Sequence, residues 1–195
     1  MSLFEALTEQ LQGQALDQIS RRIGADRSAT AAALPGALGS LMAGLAKNTT
    51  RTSGAEALND ALARDHDGSI LDDLGGFLNN PQGGSGILEH VLGSRRTDVE
   101  AGLSQGSGLN QNASGELLKI LAPIVLGALG KARRSGGLDA GSLAGILAGE
   151  RQQVQRRAPQ GLDMLGGLLD ADGDGQIADD IASKVGSSLL KNLFR

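Results

Sequence analysis

Apolar residues recur along this chain at spacings of three and four, the period at which side chains return to one face of an α-helix. Leu3, Leu7 and Leu11, with Phe4 beside them, make one such stripe. Ala55, Leu58 and Leu62 make a second, and Ile181, Val185, Leu189 and Leu193 make a third. No stretch shows a clear period of two, the mark of a half-buried strand. Helix starts are signalled as well. Ser2 with Glu5, Ser53 with Glu56 and Thr97 with Glu100 have capping-box spacing, in which a hydroxyl and a carboxylate each satisfy a free backbone N–H. Asp26 and Asp139 are further N-cap candidates. The pattern predicts an all-α, multi-helix globular protein with short Gly-rich turns.

The chain also resembles itself. From Leu16 to Lys47 it reads as helix, turn at Gly24, capping Asp26, small-residue helix, then Leu34-Pro35 opening another apolar stretch. From Val99 to Lys131 the plan returns with Gly108, Asn110 and Ala122-Pro123. Aligned at the two glycines, Ile19-Ser20 falls on Leu103-Ser104 and Asp26 on Asn110, while the prolines stand four residues out of register. A second pair matches the run Asp65-His66-Asp67-Gly68 to Leu74 with Asp172-Gly173-Asp174-Gly175 to Ile181. Asn79 to Gly86 reads as the main internal loop and Gly93 to Thr97 as a boundary. Two similar helical halves are expected, residues 1–95 and 96–195, which can still share one core.

Composition narrows the kind of core. Hydrophobic residues are 40% of the chain, yet the aromatics are only Phe4, Phe77 and Phe194, against 30 glycines. Such a core is built from Leu, Ile, Val and Ala, with Gly where backbones approach closely. The absence of cysteine excludes disulfides and thiolate chemistry and fits a reducing cytoplasm. A net charge of −4 argues against nucleic acid as the main partner. Met1 to Glu5 does not read as a secretory signal. The most apolar run, Ile120 to Leu129, is about half the ~20 residues that span a bilayer, so it is expected to be a buried core helix of a cytoplasmic protein with no membrane span.

Several of these segments resemble the bacterial domain-of-unknown-function family 937 (DUF937) and, more distantly, YidB-like proteins. The likeness is carried by the segment from Asp65 to Leu74, by Gly86-Ile87-Leu88-Glu89-His90-Val91-Leu92-Gly93, by Leu121-Ala122-Pro123-Ile124-Val125 and by the C-terminal Asp-rich loop. The resemblance implies a helical cytoplasmic protein and no particular activity.

The C-terminal loop is the strongest chemical signal. With Asp170 at position 1 of a calcium loop, Asp172 and Asp174 take positions 3 and 5, Gly175 the sharp turn, Gln176 its carbonyl position and Ile177 the apolar one. Alternating carboxylates in a tight turn offer the hard oxygens that Ca2+ requires. The last position holds Ile181 instead of a bidentate Glu, leaving Asp180 or Asp179 to close the shell. One calcium ion is therefore expected on Asp170, Asp172, Asp174, Gln176 and Asp180. The competing role is N-capping by Asp174. The earlier loop matches less well, because Ala63 stands at its first position, and helix capping by Asp67 is the expected role there.

His66 and His90, with Asp65, Asp67 and Glu89, are candidates for a His/carboxylate site. Leu16 to Thr30 has the rhythm of a helix-turn-helix, but the helix after Gly24 is apolar where a DNA reader needs Arg, Lys, Asn or Gln. The basic clusters Lys131 with Arg133-Arg134, and Arg151 with Arg156-Arg157, suit helix C-termini. Gly83 to Gly86 lacks the Lys-Ser/Thr of a phosphate loop. The function expected is a non-catalytic helical interaction or scaffold module, self-associating or bound to a protein partner, and responsive to calcium. The alternatives are an enzyme or ligand-binding protein using His66 and His90, and a helix-turn-helix DNA-binding protein.

Overall fold

The computed structural model describes residues 2–157. They form α1 (Leu3–Gln10), α2 (Gln14–Ile23), α3 (Arg27–Asn48), α4 (Thr52–Arg64), α5 (Leu74–Asn79), α6 (Gly84–Leu92), α7 (Arg96–Ser107), α8 (Gln111–Gly136) and α9 (Ala140–Arg157). Short 3-10 turns at Ser69–Leu71 and Gly93–Arg95 lead into α5 and α7. Among the described residues there is no strand, and the fold is all-α.

Two long helices made of small and aliphatic residues hold the centre. α3 is buried almost continuously from Ala33 to Ala46, and every residue of α8 from Ile120 to Gly130 is buried. They pack on each other, and α6, α7 and α9 pack around them. By length and composition α3 and α8 could each cross a membrane, but 78% and 89% of those apolar windows are covered by the rest of the protein. Their apolar surface is spent on the core. The buried cluster runs from Leu7 to Leu147 and draws on residues before and after the expected boundary at Gly93 to Thr97.

The prolines correct one expectation. Pro35 and Pro123 do not open new segments; each lies inside a continuous helix, α3 and α8. A proline removes the donor for the carbonyl four residues earlier, which for Pro123 is that of Lys119. Gly84, in the first turn of α6, packs directly onto that Lys119 carbonyl, so the interrupted turn becomes a helix-crossing point. Burial on all sides keeps the helix intact through the lost bond.

The glycine turns behave as the spacing implies. Gly24 and Gly108 cap α2 and α7 in the left-handed conformation, with φ of 67° and 78°. Asp26 and Asn110 then stand at the N-caps of α3 and α8, and both turns line one hollow. Only Asn110 uses its side chain, accepting from the Ala113 N–H at 2.8 Å.

Caps divide by context. Ser2 and Glu5 form the full capping box of α1, and Asp139 accepts from the Ser142 N–H at 2.8 Å. Ser53 and Thr97 do not cap. α4 begins one residue before Ser53, with Arg51 at its N-cap. Thr97 follows the 3-10 turn Gly93–Arg95, so its backbone is already helical and Glu100 pairs with Arg96 instead. The start of α1 also has a partner that no local pattern shows: buried Glu150 of α9 accepts from the Leu3 and Phe4 N–H groups at 2.9 and 3.1 Å.

Candidate binding groove

The polar run Lys47-Asn48-Thr49-Thr50-Arg51 ends α3 and turns the chain into α4. Buried Thr49 fixes the turn, its hydroxyl donating toward the Leu45 and Ala46 carbonyls at 3.1 and 3.0 Å. The Asn48 amide donates to the His90 carbonyl at 3.0 Å and lies 3.4 Å from that of Val91, holding the end of α6 beside the end of α3. Gly44 permits that approach, since a methyl group there would meet the Val91 carbonyl oxygen at 2.9 Å.

Between these elements lies a groove of about 790 Å3. One wall is the face of α4 from Ser53 to Ala61, and the other is α6 from Gly86 to Val91. Leu45, Leu58, Ile87, Val91 and Leu126 give it an apolar lining. Its titratable lining residues are Lys47, Arg51, His66 and His90, with no carboxylate among them. Neither Lys47 nor Arg51 has an ion-pair partner among the described residues.

His66 reaches the groove because its loop is docked on α8. The His66 carbonyl lies against Gly130, and Ile70 lies against Gly127. Arg134 and Lys131 pair with Asp67 and Asp72 at 3.4 and 3.1 Å, while Arg133 donates to Asn59 at 2.7 Å. The first basic cluster is thus a clamp for the acidic loop. Asp67 also accepts from the Ser69 N–H at 3.0 Å. That bond, then the Ser69 hydroxyl and the Arg134 charge, hold its carboxyl below the usual range. Asp73 caps α5 through the Gly76 N–H at 2.9 Å. Capping in this loop therefore falls to Asp73 and not to Asp67 as expected, because Gly68 takes the N-cap of the 3-10 turn and leaves Asp67 to brace the loop through Ser69 and Arg134.

The two histidines do meet in one groove. His66 is half-buried, and burial lowers its pKa against the opposing pull of Asp65. His90 is exposed. The carboxylates expected with them are elsewhere: Asp65, Asp67 and Glu89 do not line the groove. Among the described residues no group of three or more His, Asp or Glu side chains is placed to hold a metal ion. The expected calcium ligands Asp170, Asp172, Asp174, Gln176 and Asp180 lie outside the described residues.

In the helix-turn-helix-like segment, α3 after the Gly24 turn is exposed at Arg27, Ser28 and Ala32 and enters the core from Ala33 onward. Gly83 to Gly86 caps and opens α6, with Gly84 packed against Lys119 and the Glu116–Lys119 pair beside it. Lys47 and Arg51 were not singled out by sequence spacing. The only signal was a polar run after a long small-residue helix, which marks a helix end and says nothing of a groove.

Fold and groove together define an all-α protein with two buried central helices and a cation-edged apolar groove at their flank. The family described as "Bacterial protein of unknown function (DUF937)" matches residues 5–132, which include every element of the groove. The chain belongs to that family. No curated protein and no solved structure matches it.

Proposed function

We propose that this protein is a non-catalytic helical interaction module whose groove between α4 and α6 holds an amphipathic, anionic segment of a protein partner. The observation that carries this reading is the groove's lining. Among the described residues Lys47 and Arg51 have no ion-pair partner, and they stand with two imidazoles beside an apolar surface that no carboxylate lines. A helix with one apolar face and an acidic flank meets both requirements. The cations supply orientation and encounter rate, and the apolar contact supplies most of the affinity. Calcium enters as a second input through Asp170, Asp172, Asp174, Gln176 and Asp180, supported by their alternating spacing before Gly175.

The test is fluorescence anisotropy of a labelled synthetic helical peptide, leucines at four-residue spacing with aspartates on the flank, titrated with the full chain. Saturable binding, weakened at least tenfold or so by Lys47→Glu with Arg51→Glu, is expected. Equal binding to the charge-reversed protein would remove the groove from the account.

A second reading, a small-ligand or enzymatic site using His66 and His90, is favoured by their sharing the groove. It requires a loss on His66→Gln with His90→Gln that the Lys47 and Arg51 reversals do not reproduce.

A further inference from the structure

The groove is matched by a segment of this same chain. From Asp170 to Asp180 there are five aspartates and no basic residue, and the stripe Ile181, Val185, Leu189 and Leu193 follows at helical spacing. An acidic block followed by an apolar stripe is the complement of Lys47 and Arg51 beside Leu45, Leu58, Ile87 and Val91. The route is open in length. α9 packs on α4, the helix that forms one wall of the groove. The residues between Arg157 and Asp170 reach on the order of 40 Å when extended. That is about the diameter of a domain this size, enough to lead from α9 to a groove walled by the helix it packs on. A tethered segment also has an effective concentration that a free partner must outcompete.

We propose that the chain's own segment from Asp170 to Leu193 occupies the groove intramolecularly, acting as a built-in competitor for the partner. The inference rests on the groove reading above. Occupancy lowers the apparent affinity for an outside peptide by the fraction of time the groove is filled. A groove filled nine-tenths of the time costs about tenfold in affinity.

Two experiments on the full chain test it. In the first, the anionic peptide is titrated into the wild type and into a variant with Asp170, Asp172, Asp174, Asp179 and Asp180 all changed to Asn. The expected result is tighter binding by the variant, about tenfold. Equal binding by both proteins, still abolished by Lys47→Glu with Arg51→Glu, overturns the intramolecular occupant and leaves the groove reading standing. Binding insensitive to both sets of changes overturns the two together.

In the second, the absence of native cysteine allows clean labelling of Glu56→Cys on α4 and Ser188→Cys in the segment for energy transfer. Efficient transfer, lost on reversal of Lys47 and Arg51 and restored by adding Asp179→Lys with Asp180→Lys, supports the proposal. Transfer unchanged by the reversals overturns it. Transfer appearing only when singly labelled chains are mixed also overturns it, because the occupant is then a second copy.

Discussion

The carbonyl oxygen of His66 rests on the bare α-carbon of Gly130, so the loop that carries one groove histidine is seated directly on the central helix α8. A methyl group at position 130 would collide with that carbonyl, and the atom that must yield is backbone, not the end of a flexible side chain. Gly130→Ala gains up to about 1 kcal/mol of helix propensity. Overpacking against a fixed backbone costs about 1–3 kcal/mol. Net destabilisation and a displaced loop are expected. Urea unfolding measures the first, and the imidazole NMR signals of His66 but not His90 report the second. Unchanged signals and stability would show that the loop does not rest on Gly130.

Glu150 sets a long-range cap that can be removed singly. Its carboxylate accepts from the Leu3 and Phe4 N–H groups, where the positive end of the α1 dipole adds to the hydrogen bonds. Glu150→Ala is expected to cost about 1–2 kcal/mol. Hydrogen exchange should quicken first in α1, while Glu150→Gln retains an acceptor and loses less. Uniform loss across the whole core would mean that packing of α9, and not the cap, was removed.

His66 should make stability depend on pH in one window. Burial lowers its pKa in the folded protein, so the unfolded chain binds the proton more readily. The favourable contribution is complete above the ordinary histidine value near 6.5 and is lost as pH falls through it, levelling off below the folded value. Chemical denaturation from pH 7.5 to 5.5 should therefore show a loss in the wild type that is smaller in His66→Gln. Parallel curves for the two proteins would remove His66 as the cause.

Calorimetry of metal-stripped full-length protein tests the Asp-rich loop. Saturable uptake of one Ca2+ is expected, lost in Asp172→Ala and not displaced by equimolar magnesium, which dehydrates reluctantly and demands stricter geometry. No heat at millimolar calcium would leave those aspartates without a metal role.

Local chemistry explains which features were legible in advance. Ser2 with Glu5 and Asp139 act on backbone groups three residues away, and they cap as their spacing implies. Gly24 and Gly108 adopt the left-handed turn that glycine alone takes cheaply. Leu7, Leu11, Ala55 and Leu62 are buried, as their helical period requires. Ser53 and Thr97 carry the same spacing yet do not cap, because their own backbones were already drawn into helices by packing.

By itself, then, the sequence determined the all-α class, the glycine turns, the aliphatic stripes and the family resemblance, since each depends on residues within a turn or two of one another. Tertiary structure decided the rest. Half-buried Pro35 and buried Pro123 remain inside unbroken helices because the packing of those helices in the core outweighs one missing hydrogen bond. The basic end of α8 became the clamp for the acidic loop, and Lys47 and Arg51 became the edge of a groove with His66 and His90. These partners are separated by tens of residues along the chain. Only the crossing of α3, α6 and α8 at their small residues brings them together, and no one-dimensional period encodes that crossing.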